Sequence, residues 1–374
     1  MEKIANIYRL GVKELYSLLR DPVLMGLIFY TFTFAIYTVA NGVQTELRNA
    51  SIAIVDEDHT GLSNRIAGAF LPPYFKPPQV IGLDAVDAGM NAGLYTFVLD
   101  IPPGFEADVL GGRQPVIQLN VDATAMTIAG NGATYISSII NAELLKFVSR
   151  STGVAALPVD LRVRVKFNPN LDSSWFMAVM QIINNLTILA IILSGAAVIR
   201  EREHGTLEHL LVMPVTSGEI MLAKIWANGL VIVLAAVLSL QFVVQGLLDV
   251  PIAGSILLFA FGSAVYLFAV TAMGITLSTV ATTMPQFGLL SIPVFVVMNL
   301  LSGGVTPLES MPEALQDVVQ VLPSTHFIKF AQAVLYRGAG IDIVWPQLLT
   351  TAGIGAVFFA FGYSRFRATL AAVR

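Results

Sequence analysis

Three groups of side chains in this 374-residue chain have the types to do chemistry. Asp56, Asp58 and His59 could be imagined as metal ligands, but an acidic cluster that follows a strand-like run and precedes Thr60-Gly61 reads as a strand-to-helix turn. His204 and His209 sit in a charged run with Glu201, Glu203 and Glu208. They stand five residues apart, on different faces of a helix, and do not converge on one ion. Gln181, Asn184 and Asn185 fall at i, i+3 and i+4 and form one polar stripe. In an apolar segment such a stripe faces protein or a path rather than lipid, either holding helices together or lining a route. Asn228 and Asn299 are single amides of the same kind.

The chemistry that is missing is as informative. None of the seven lysines follows a glycine, so no Walker A loop is present to cradle phosphates. No His precedes a Glu and no G-x-S-x-G elbow occurs, which removes two hydrolytic patterns. With no cysteine there is no disulfide, thiolate metal site or thiol nucleophile. The net charge of −4 gives no basic footprint for nucleic acid. The expectation is therefore no catalytic residue, no metal and no cofactor bound by this chain.

The elements that must position these residues are apolar. The chain is 55% hydrophobic and 12% charged, where a soluble domain carries roughly 25% charged residues. Runs without Asp, Glu, Lys or Arg lie near 22–40, 175–199, 225–247, 255–276, 287–301 and 345–363. Each approaches the length that spans a hydrocarbon core about 30 Å thick. The fold class expected is an α-helical polytopic membrane protein of six spans with an inserted α/β or α+β domain over 41–172. In that domain strands are expected at 51–55, 95–101, 115–121 and 161–167, and helices at 61–70, 84–92, 105–110 and 125–150. The spans carry no ionisable residue at their centres, against the habit of proton- and sodium-coupled carriers. Ala352, Ala356 and Ala360 suggest a small-residue ridge on span six.

Lys3, Arg9, Lys13, Arg20, Arg200, Arg202, Lys224, Arg365, Arg367 and Arg374 all fall on one side of a six-span topology, with only Lys329 and Arg337 in the opposite short loops. Both termini should then be cytoplasmic and the 41–172 domain should lie outside, that is, periplasmic or extracellular. Thr38-Val39-Ala40 has the look of a cleavage site, but the amphipathic stretch before the long first run favours a retained span. In residues 1–21, Ile4, Ile7, Tyr8, Gly11, Val12, Leu15, Leu18 and Leu19 share one helical face, and Lys3, Asn6, Arg9, Lys13, Ser17 and Arg20 the other. Such a helix lies flat on the membrane surface, and Asp21-Pro22 restarts a helix into span one.

The loop over 200–224 is compact and capped. A short helix is expected near Thr206, stopped by Pro214, followed by a Thr216/Glu219 capping box that opens span three. Its pattern, E-R-E-x-G-T-L-E-x-L-L-x-x-P-V-T-x-x-E-I-x-x-A-K, resembles the coupling region of permeases of ATP-binding-cassette (ABC) type-2 exporters. The likeness extends along the chain: residues 1–21 resemble that family's elbow helix, and the domain after span one resembles that of its multidrug-type bacterial members. The 302–344 segment resembles the helical hairpin before its last span. That hairpin reads as one helix capped at Ser310 with Glu313, and a second from Ser324 ending before Gly338.

The resemblance implies a bacterial inner-membrane exporter subunit, a homodimer or a heterodimer with a similar permease, docked on a separate nucleotide-binding subunit that holds ATP and magnesium. It implies coupling through Glu201, Glu203, Gly205, Thr206, Glu208 and Pro214, and it allows a periplasmic adaptor. Gln181, Asn184, Asn185 and Asn299 are the candidate lining of an uncharged route, suited to amphipathic or hydrophobic, drug-like or lipid-like cargo. The alternative is a membrane-anchored sensor or assembly factor with a ligand-binding ectodomain. It leaves the capped 201–214 element without a purpose. A secondary antiporter is disfavoured by the uncharged spans.

Overall fold

A computed structural model describes residues 2–42, 47, 49–122, 126–152, 172–203 and 215–372. The chain divides into two compact units, Met1–Val43 with Ser174–Arg374, and Gln44–Ser173.

The membrane unit begins with α1 (Glu2–Leu19). Span one follows as two pieces, α2 (Pro22–Phe32) and α3 (Phe34–Gly42), where the sequence suggested one continuous run. Asp21 caps the first piece by accepting from the amides of Val23 and Leu24 at 3.0 and 3.1 Å, with Pro22 at the first helical position. The break falls at Thr33, whose φ of −122° and ψ of −80° leave the helix. Backbone carbonyls beside it find donors on two other spans. Asn185 donates to the Thr31 carbonyl and Ser239 to the Phe32 carbonyl. A break inside a bilayer persists only where neighbouring helices supply such partners.

The second unit holds β1 (Ile52–Asp56), α4 (Gly61–Ala67), β2 (Gln79–Val80), α5 (Val86–Asn91), β3 (Phe97–Ile101), α6 (Phe105–Leu110), β4 (Gln118–Val121) and α7 (Met126–Thr152). The sheet order is β2-β1-β3-β4, with β1 parallel to both its neighbours and β3 antiparallel to β4. Strand β1 is buried on both faces, as a parallel central strand must be. Ile52 and Ile54 meet Leu62, Ile66, Phe97 and Ile136, while Ala53 and Val55 meet Val86 and Val98 on the other face. Strand β2 has two exposed residues and no apolar alternation, which is why no strand is expected there from sequence. The strand expected at 161–167 lies outside the described residues.

The chain re-enters the membrane unit with α8 (Ser173–Glu203), then α9 (Ser217–Ser239) running into a π-helical turn (Leu240–Gln245), α10 (Ile256–Val280) and α11 (Met284–Leu301). Two short helices, α12 (Glu313–Val319) and α13 (Pro323–Leu335), precede α14 (Ile341–Ala372). Six segments are long and apolar enough to cross a bilayer: Pro22–Gly42, Ser173–Glu203, Ser217–Gln245, Ile256–Val280, Met284–Leu301 and Ile341–Arg367. Span two is the most enclosed, whereas spans one, five and six are mostly exposed.

Tyr266 of α10 is wholly buried; its hydroxyl pairs with Thr187 of α8 at 2.6 Å and its ring stacks on Phe327 of α13 at 4.1 Å. Phe330 lies over Gly262, where a Cβ would come within 2.2 Å of the ring. These contacts seat the hairpin on span four. Its caps differ from expectation. Pro312, not Ser310, precedes the first helix, and the Ser310 hydroxyl donates back to the Pro307 carbonyl at 2.7 Å. The second helix starts at Pro323, with Leu322 before it and no side-chain cap, and the Ser324 hydroxyl pairs with that of Ser302, which follows α11. The small-residue ridge of span six is also displaced. Ala356 and Ala360 are exposed, and close packing on span four is made by Gly355 against Ala269 and Gly362 against Thr276. Glycine permits a closer backbone approach than alanine, and that approach selects the face.

Candidate functional site

The C-terminal end of span two is where the charged side chains gather. Successive residues of an α-helix project about 100° apart, so four in a row reach four different neighbours. Arg200 approaches Asp21 at the start of span one, 3.8 Å away. Glu201 accepts from Lys224 of span three at 2.8 Å. Arg202 donates to the carbonyl of Ala281, which ends span four, at 2.6 Å. Glu203 accepts from the amide of Met284, which begins span five, at 3.1 Å.

Lys224 is the centre of this arrangement. Its side chain is 2% exposed, and it binds Glu14 of α1 at 3.0 Å as well as Glu201, so one ammonium serves two carboxylates from two other helices. An ammonium this enclosed is tolerated only when paired and hydrogen-bonded. The rest of α1 is fastened to the same helix. The Trp226 indole donates to the Ile7 carbonyl at 3.2 Å, its ring lies on Gly11 and stacks parallel to Tyr8, and Asn6 donates to Glu219 at 3.5 Å. The apolar stripe read from the sequence is therefore divided. Ile7, Gly11 and Leu18 turn toward the bundle, while Ile4, Tyr8 and Leu19 remain exposed. Glu219 also completes the expected box: the Thr216 amide donates to its carboxylate at 2.5 Å, and its own amide donates to the Thr216 hydroxyl at 3.4 Å.

Of the expected coupling residues, Glu201 and Glu203 take part in this junction. Gly205, Thr206, Glu208 and Pro214 lie outside the described residues. Sequence reasoning missed Glu14, and it took Lys224 and Arg202 only as markers of topology. The available signal was Lys224 itself, a cation several residues inside an otherwise apolar helix.

The amides of span two sort differently from one another. Gln181 donates to Asn185 at 2.9 Å, and Asn185 holds the Thr31 carbonyl beside the break in span one. These two serve interhelical bonding. Asn184 and Asn299 are half-buried and make no hydrogen bond among the described residues, and the Asn228 amide nitrogen is buried without a partner among them.

In the second unit the Asp56–Thr60 cluster forms a strand-to-helix turn. Asp56 accepts from the amides of Asp58 and His59 and from the Ser63 hydroxyl, and Thr60 and Ser63 make a capping box. Asp58 sits below its ordinary acidity range. Burial works to raise it, but bonds from the Thr60 hydroxyl and the amides of Glu106, Phe105 and Gly104 outweigh that.

Six candidate spans, an N-terminal helix fastened to the third, and a charged junction at the end of the second define a polytopic membrane protein. The chain belongs to the ABC-2 transporter family: the model described as "ABC-2 family transporter protein" matches residues 21–363. It is 53% identical over 370 residues to the inner membrane transport permease YhhJ of Escherichia coli (strain K12), covering 99% of both chains. It is 31% identical over 372 residues to the probable multidrug ABC transporter permease YbhR of the same organism, covering 95% of this chain and 97% of that one. To the probable multidrug ABC transporter permease YbhS it is 26% identical over 349 residues.

Proposed function

We propose that this chain is the membrane subunit of an ABC exporter that moves amphipathic or hydrophobic compounds out of the cytoplasm or inner membrane, driven by ATP hydrolysed on a separate subunit. The observation that carries the reading is the fan of Arg200, Glu201, Arg202 and Glu203 onto spans one, three, four and five. Whatever displaces the 204–214 segment pulls on a helix end already tied to four others. A closing ATPase pair at the inner face is the partner that such a lever suits, with Gly205, Thr206, Glu208 and Pro214 as its contact surface. The same family membership and the exposed apolar faces of spans one and five support a permease dimer, of like or similar chains.

On this reading both termini face the cytoplasm and the Gln44–Ser173 unit faces outward, where an adaptor would meet it. Asn184 and Asn299, whose amides are not engaged elsewhere among the described residues, are the positions offered to cargo. The names of the YbhR and YbhS relatives favour drug-like compounds as that cargo. The test is partner ATPase stimulation in reconstituted vesicles. Glu201→Lys and Pro214→Ala should each insert normally and lose the stimulation. Wild-type stimulation in both variants would remove the coupling role.

A further inference from the structure

Beside the junction, sharing only Asp21 with it, lies an open concavity of about 810 Å³ lined by Lys13, Tyr16, Ser17, Arg20, Asp21 and Pro22. We propose that this concavity binds the phosphate of an anionic phospholipid headgroup. The inference rests on the six spans and not on any direction of transport.

Lys13, Ser17 and Arg20 recur at i, i+4 and i+7 on one face at the end of α1, all exposed. Lys13 and Arg20 have no ion-pair partner among the described residues, whereas Lys224 and Arg200 nearby are engaged. Two cations and a hydroxyl on one wall present the donors that a phosphate takes. Asp21 adds a carboxylate to the lining, but it is turned to other uses: it accepts from the amides of Val23 and Leu24 and faces Arg200 at 3.8 Å. The site is therefore net positive, which selects an anionic headgroup over a zwitterionic one.

Its position supplies the second half of a lipid. The concavity sits where the surface helix gives way to span one, the level of headgroups in a bilayer. From Pro22 in its wall, Val23, Leu27 and Tyr30 continue down span one at i, i+4 and i+7, with exposures of 76%, 38% and 56%. That apolar track suits an acyl chain, which inorganic phosphate lacks.

Native mass spectrometry of the purified full chain, titrated with phosphatidylglycerol, phosphatidylcholine or inorganic phosphate, tests the proposal. The expected result is one retained phosphatidylglycerol in preference to phosphatidylcholine. Lys13→Gln combined with Arg20→Gln should weaken that retention roughly 30-fold, since each cation at the surface contributes about a factor of five. Lys3→Gln combined with Arg9→Gln removes the same charge from exposed positions elsewhere on α1 and should leave retention nearly unchanged. Equal weakening by both pairs would show diffuse surface attraction and overturn the site. Absence of preference for phosphatidylglycerol, or its displacement by inorganic phosphate at equal concentration, would overturn it too.

Discussion

Arg202 and Glu203 are neighbours in sequence and hold opposite ends of one turn between spans. The Arg202 guanidinium donates to the carbonyl that ends span four, and the Glu203 carboxylate accepts from the amide that begins span five. Each charge has the sign that its helix terminus favours. Arg202→Ala and Glu203→Ala should each lower stability by about 1 kcal/mol, and the charge-swapped pair Arg202→Glu with Glu203→Arg should fall below either single variant, because both signs then oppose the dipoles. Thermal unfolding in detergent reads this; a swapped pair as stable as wild type would refute it.

Lys224 couples three helices through one ammonium. Lys224→Met should cost about 3 kcal/mol, because it leaves the Glu14 and Glu201 carboxylates facing each other in a half-buried site. Glu201→Gln keeps an acceptor for Lys224 and should unfold within about 1 kcal/mol of wild type. Glu201→Lys places two ammoniums in contact and should shift the midpoint much further. Indistinguishable midpoints for the Gln and Lys variants would show that the contact carries no charge dependence.

The break in span one gives Asn185 a structural role that can be separated from contact with cargo. Asn185→Leu and Ser239→Ala each remove a donor to a span-one carbonyl and should each cost about 0.6 to 1.7 kcal/mol. Asn184→Leu should leave the melting midpoint in place and change instead which compounds stimulate the partner ATPase. If Asn185→Leu altered compound preference with no loss of stability, the amide would belong to the route.

Glu143 on α7 binds Lys146 at 2.6 Å and Arg65 of α4 at 3.1 Å, and those hydrogen bonds hold its carboxyl below the usual range. A depressed acid contributes stability above its unfolded value of about 4.3, and loses it as pH falls through the folded value. Glu143→Gln should weaken hydrogen-exchange protection of α4 and α7 by about 0.5 kcal/mol at pH 7, a modest figure because Lys146 is well exposed. Below about pH 4 the gap between variant and wild type should close. A gap that widens on acidification would reverse the sign and refute the pairing.

The sequence alone determined what depends on local order along the chain. Six spans follow from apolar length, the restart at Asp21-Pro22 and the Thr216/Glu219 box from residues three apart, and the Asp56–Thr60 turn from its side chains bonding to their own backbone. The class of protein was legible too, because the 201–224 pattern is continuous in sequence. What only the tertiary structure decided is which side chains meet across helices. The choice of Gly355 over Ala356, of Ser302 as the taker of Ser324, of Asn185 as support for a broken span, and of Glu14 as partner to Lys224 depends on how far each helix is rotated about its axis. Hydropathy is nearly uniform around an apolar span, so it carries little record of that rotation; packing between neighbours fixes it.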